Sequence, residues 1–159
     1  MQPVILSPSL QLWLNLSVTI GAETVVGHTT DGRRVLYPIT GGSVQGVGGI
    51  SGRVLPGGFD NYCQGSNGIG SMDARYALQL DDGAVLLVHN RGFLHFSTEG
   101  AALEAAGVWP IPAELYHCRC QPEIRTGAGR YQWVNHQLFV GTVHYPLAER
   151  VEIAIYRLA

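Results

Sequence analysis

The sequence predicts an all-β protein, a closed antiparallel barrel of about eight strands with one short helix near residues 98–106. Three observations carry that expectation. Leu10, Leu12, Leu14, Leu16, Val18 and Ile20 alternate with Gln11, Trp13, Asn15, Ser17 and Thr19, the period of two of a half-buried strand. Short strand-like runs then follow one another to the C-terminus, separated by the turn residues Gly, Pro, Asn and Asp. Closing such a sheet on itself removes the exposed edges that invite aggregation.

The elements are read in chain order. "LQLWLNLSVTI" is the first strand. "RRVLYPITGGSVQG" and "GGISGRVLP" are the next candidates, and Pro38 marks a bend or bulge in the former. Many of the 21 glycines crowd residues 41–70, where strands turn sharply or pass close to a neighbour. "GSMDARYALQLDDGAVLLVHNRG", Gly70 to Gly92, is a hairpin with Asp82-Gly83 as a two-residue turn. "STEGAALEAAG" offers a Ser or Thr N-cap and a terminal Gly, so it is the helix. "LYHCRCQPEI" is a further strand. "RYQWVNHQLFVGTVHY" and "RVEIAIYRL" form a long final hairpin.

Composition bounds the function. With 46% apolar and 14% charged residues, 159 residues suffice for one domain, 1–159, with a substantial core. A net charge of -2 and the lack of any basic stretch argue against nucleic acid. All ten basic residues are Arg, so there is neither a Schiff-base nor a P-loop lysine. The N-terminal stretch lacks the charged start of a secretory signal, and no apolar run is long enough to span a bilayer. A cytoplasmic protein is expected, and three cysteines make no disulfide framework.

The Gly70–Gly92 hairpin raises the functional question. A turn at Asp82-Gly83 pairs Asp81 with Ala84, which puts Arg75 opposite Asn90 and Tyr76 opposite His89. Asp73, Arg75, Ala77 and Gln79 then share a face with Asn90, Val88 and Leu86. The compact residues of that face suit a barrel interior, and Arg91 and His89 on the other face suit water. The reading favours Asp73, Arg75 and Asn90 inside, as a polar cluster above an apolar floor. The alternative is a surface ion pair of little energetic weight.

Three segments taken in order, "GRVLPGGFD", "MDARYALQLDDGAVLLVHNRG" and "RYQWVNHQLFVG", make the chain resemble the DUF3237 family, also labelled UPF0311. The resemblance runs over nearly the whole chain and implies a closed antiparallel β-barrel of the allene-oxide-cyclase-like kind. It implies recurrent polar residues at Asp60, Asp73, Arg75, Asn90, Arg119, Trp133 and Asn135. Two positions depart from the family pattern. Asn61 stands where a Trp is usual and Cys118 where an aromatic is usual, which implies a roomier or more polar pocket.

These residues suggest chemistry. Asp60 and Asp73 facing one cavity would serve as general acid and base, with Arg75 or Arg119 holding a carboxylate or oxyanion. Catalytic candidates are therefore Asp60, Asp73 and Arg75. Ligand-binding candidates are Asn90, Arg119, Tyr131, Trp133 and Asn135, the last three read as one strand face with a stacking surface and an orienting amide. The equal alternative for the charged cluster is a salt-bridge network fixing the strand register. "HCRC" does not make a metal site, because along a strand His117 points away from Cys118 and Cys120. No metal or cofactor is expected, and no nucleophile elbow or dinucleotide fingerprint is present.

Two readings stand. One is a cofactor-independent isomerase, cyclase or lyase acting on a small apolar or aromatic carbonyl compound inside the barrel. The other is a non-catalytic barrel that binds a hydrophobic ligand. The expected partner is a small molecule, with neither nucleic acid nor membrane, and the face carrying Tyr76 and His89 could support a homodimer.

Overall fold

The computed structural model describes residues 2–159. Ten strands form one continuous sheet: β1 (Leu10–Ile20), β2 (Thr24–Thr29), β3 (Gly32–Gly46), β4 (Ser51–Val54), β5 (Gly58–Gln64), β6 (Ile69–Leu80), β7 (Val85–Phe96), β8 (Tyr116–Arg125), β9 (Phe139–Leu147) and β10 (Arg150–Leu158). The pairing runs β1-β10-β9-β8-β7-β6, and β6 pairs with both β4 and β5. Those two also pair with β3, and β3 returns to β1. Since β4 and β5 fill one position as a broken strand, the circuit closes as an eight-stranded antiparallel barrel. β2 extends the outer part of β3 as a short hairpin. Among the described residues, no helix is long and apolar enough to cross a membrane.

The period-two patterns place the core. Leu14, Leu16, Leu78, Leu86, Ile124, Phe139 and Ile155 are sealed from solvent in the half of the barrel that includes the β6–β7 turn. The first strand departs from strict alternation. Between Leu12 and Leu14 its pairing with β10 slips by one residue, so Trp13 and Leu14 are both buried while Leu10 and Leu12 face outward. An extra residue in one strand is a β-bulge, and it switches the face that follows. A second slip lies between Thr19 and Ile20 in the pairing with β3, next to Pro38.

Gly42 shows why glycine crowds this region. Its φ is +139°, and a Cβ there would overlap the Ser17 carbonyl oxygen of β1. Gly27 has a comparable φ of +106° with open space around it. Gly42→Ala is therefore expected to cost on the order of 3 kcal/mol, and Gly27→Ala about 1 kcal/mol, in urea unfolding.

The central hairpin differs from the expected one by a single residue. Leu80 N–H donates to the Ala84 carbonyl (2.8 Å), and Gly83 N–H donates back to the Leu80 carbonyl (2.9 Å). The loop is thus Asp81-Asp82-Gly83, with Gly83 at φ +91°, a three-residue turn of the kind glycine makes possible. Arg75 pairs with His89, Ala74 with Asn90 and Tyr76 with Val88. A one-residue slip turns over a whole strand face. Asp73 and Arg75 therefore lie on the outer surface, and Ala74, Tyr76, Leu78 and Leu80 line the inside with Leu86, Val88 and Asn90. The expected interior Asp73–Arg75 cluster and the expected outer Tyr76–His89 pair are both corrected by this turn.

The helix forms where expected, as α1 (Thr98–Ala105), with the Ser97 side chain accepting from the Gly100 N–H at 3.0 Å. The segment after it passes Val108 and Trp109 over the open end of the barrel, and the Trp109 ring sits 5.1 Å from that of Tyr145. The expected strand through Tyr131, Trp133 and Asn135 is instead a loop with a 3-10 turn, Gln132–His136. This turn stoppers the other end: Val134 is fully buried, and Trp13 packs against both Trp133 and Phe139.

Candidate active site

Between the packed half and the Trp109 segment the barrel holds a cavity of about 530 Å³, a size that accommodates a drug-sized molecule. One lateral row of inward positions crosses its wall. Tyr37 on β3 pairs with Asp60 on β5, Asp60 with Ala74 on β6, and Ala74 with Asn90 on β7. Asp60 and Asn90 thus stand two strands apart, about 10 Å, with the small Ala74 between them. Tyr76, two residues along β6, is the next inward residue. All five line the cavity.

Asp60 is the acidic centre of this row. The β5–β6 ladder pairs Asp60 with Ala74 and resumes at Cys63 and Ser71, and across that gap Asp60 Oδ1 accepts the Asp73 main-chain N–H at 3.0 Å. Burial pushes the Asp60 carboxyl up to about 6. The Asp73 N–H opposes that rise, and the Asp73 charge adds to it. The phenols of the wall stay protonated near neutrality. Burial raises Tyr37 to about 12, with help from Glu23, and raises Tyr62, Tyr76 and Tyr145 as well. Behind the wall, burial raises the Cys118 thiol to about 12 and the Cys120 thiol to about 11. Asp60 alone among these groups changes charge near neutral pH, which is what general acid–base work requires.

The neutral polar groups divide in two. The Tyr62 hydroxyl donates to Gln64 Oε1 at 2.6 Å, and the Tyr145 hydroxyl reaches Met72 Sδ at 3.3 Å. The Tyr76 hydroxyl and Asn90 Oδ1 are buried without a hydrogen-bond partner in the protein.

A family model described as "Protein of unknown function (DUF3237)" matches residues 8–158. The chain belongs to the DUF3237 family. A UPF0311 protein of Rhodopseudomonas palustris (strain TIE-1) is 35% identical to it over 155 residues, which cover 96% of this chain and 99% of the relative. The crystal structure of a beta-barrel like protein from Acinetobacter baumannii AYE matches with a TM-score of 0.85 at 30% identity, over 99% of this chain and 100% of that one. The crystal structure of an enzyme from Penicillium herquei matches with a TM-score of 0.71 at 21% identity over the full length of both, a likeness of fold.

In this DUF3237 protein the candidates from sequence separate into three places. Asp60 and Asn90 both line the cavity. Asp73, Arg75 and Arg119 lie on the outer surface. The Asp73 carboxylate bonds His89 Nε2 at 2.7 Å, so Asp73 touches the site only through its main chain. Arg75 is exposed opposite Phe59 and His89. Exposed Arg119 donates to the Cys118 carbonyl at 2.8 Å. Tyr131, Trp133 and Asn135 belong to the stoppered end. There Asn135 accepts from Thr126 N–H (2.9 Å) and donates to the Thr126 carbonyl (3.0 Å), closing that loop.

Of the two departures from the family pattern, Asn61 faces outward and bonds Arg34 Nη1 at 3.2 Å. Cys118 is buried inside, 3.6 Å from the Tyr145 hydroxyl. Tyr76 was missed as a site residue. Reading Asp81-Asp82-Gly83 as the loop would have turned it inward.

Proposed function

We propose that this DUF3237 protein is a cofactor-independent proton-transfer enzyme, of isomerase, cyclase or lyase type, for a small apolar or aromatic carbonyl compound held inside the barrel. One observation carries the reading: a carboxyl held up to about 6 by burial faces the cavity in a row with Tyr37, Ala74 and Asn90. Such a group is ionised enough at pH 7 to take a proton and basic enough to keep it. The carboxylate takes a proton from the carbon next to the carbonyl. The C–H bond breaks, an O–H bond forms on Asp60, and the electron pair moves onto the carbonyl oxygen as an enolate. Return of the proton to a different carbon completes an isomerisation. Attack of the enolate carbon on a second carbonyl of the same molecule opens that C=O bond, and its oxygen takes the proton from Asp60 to complete a cyclisation. In an elimination the C–X bond to a β-substituent breaks and the departing group takes that proton.

The alternative, a binding barrel without chemistry, draws on the Asp60 bond to the Asp73 N–H, which gives the carboxylate a purely structural task. Exchange at carbon separates the two. With 1-tetralone as probe in deuterated buffer, NMR should show loss of the protons next to the carbonyl well above the buffer rate. Asp60→Asn should remove that acceleration, while Asp73→Asn and Arg75→Ala should keep it within a few-fold. Exchange at the buffer rate with wild-type protein, or unchanged in Asp60→Asn, overturns the proposal.

A further inference from the structure

We infer that the cavity selects a neutral hydroxy-carbonyl compound, whose carbonyl oxygen accepts from the Tyr76 hydroxyl and whose own hydroxyl donates to Asn90 Oδ1. The inference rests on the reading of the cavity as the site of a carbonyl compound and adds what else that compound carries. Buried polar groups in folded proteins nearly always have partners, and leaving one without costs about 1–3 kcal/mol. Here two of them share one cavity. Tyr76 is 7% exposed and Asn90 4% exposed. They are neighbours on the inner face, since Asn90 pairs with Ala74 and Tyr76 is two residues further along the same strand. Ala74 leaves open the space between them, beside Asp60.

The two groups ask for different things. A phenol that burial keeps protonated offers its O–H to an acceptor. Asn90 Oδ1 is buried without a partner, and an amide oxygen can only accept, so it calls for a donor from the ligand. The charges on the wall argue against an acid as ligand. Asp60, Glu23 and Glu104 line the cavity against the single cation Arg33, and Arg75 and Arg119 both lie outside. A carboxylate entering here would meet more repulsion than attraction.

Binding of three probes measured by calorimetry tests this. They are 6-hydroxy-1-tetralone, 1-tetralone without the hydroxyl, and 6-hydroxytetralin without the carbonyl. With wild-type protein each deletion should weaken binding about tenfold, the effect of one buried hydrogen bond. With Tyr76→Phe the loss on removing the carbonyl should shrink to within twofold, and the loss on removing the hydroxyl should persist. Asn90→Leu should show the reverse. Both variants remove an unpartnered polar atom, so folding is retained. Deletion losses that stay the same in both variants, or no binding of 6-hydroxy-1-tetralone to wild-type protein, overturn the inference. Coupled binding without exchange at carbon leaves it standing and removes the proton-transfer step. Exchange without coupling does the opposite.

Discussion

Asp60→Asn is expected to stabilise the protein at pH 8 by about 2–3 kcal/mol while removing its proton-transfer activity. The folded carboxyl is raised from 3.8 to about 6, chiefly by burial. Between those values the folded protein keeps a proton that the unfolded chain has released, so wild-type stability falls as pH rises through that window and levels off above it. Asparagine carries no charge, and its Oδ1 can still accept the Asp73 N–H. The gap between variant and wild type should therefore be near zero at pH 4, open between pH 4 and 6, and stay constant to pH 8. Urea unfolding at pH 4 and pH 8 reads it directly. A variant less stable than wild type at pH 8 would make Asp60 a structural anion rather than a destabilised functional one.

Ala74→Leu is expected to abolish ligand binding without harming the fold. Ala74 is the one small residue in the row between Asp60 and Asn90, and its neighbour on that strand face is Tyr76. Leucine there grows into the cavity rather than into packed side chains, so the usual penalty of about 1–3 kcal/mol for overpacking does not apply. Thermal unfolding should shift by no more than a few degrees, about the effect of 1 kcal/mol, and calorimetry should find 6-hydroxy-1-tetralone binding lost by at least about a hundredfold. Unchanged affinity would mean that the ligand sits elsewhere.

The two variants depend on a strand face that the sequence concealed. "DDG" accommodates both a two-residue turn at Asp82-Gly83 and a three-residue loop, and both put glycine where positive φ is needed. Only the pairing of Leu80 with Ala84 decides between them. That single residue moved Asp73 and Arg75 outward and Tyr76 inward. The barrel was legible because alternation in β1, β6 and β10 and the Ser97 cap are local features. The stoppered end was not, since "RYQWVNH" carries residues common in strands. Its 3-10 turn is accompanied by an Asn135–Thr126 bond that closes the loop and by packing of Trp133 against Trp13, far along the chain. Asp60 and Asn90 were identified through the family resemblance and the hairpin, but their shared row depends on three strand registers.

The most direct test of Asp60 as the working base is the pH dependence of 1-tetralone exchange catalysed by the wild-type protein. The account predicts a rate that rises as the carboxyl ionises, with a midpoint near pH 6, and is flat above it. A catalysed rate that follows hydroxide with no inflection near pH 6, and is matched by Asp60→Asn, would contradict it.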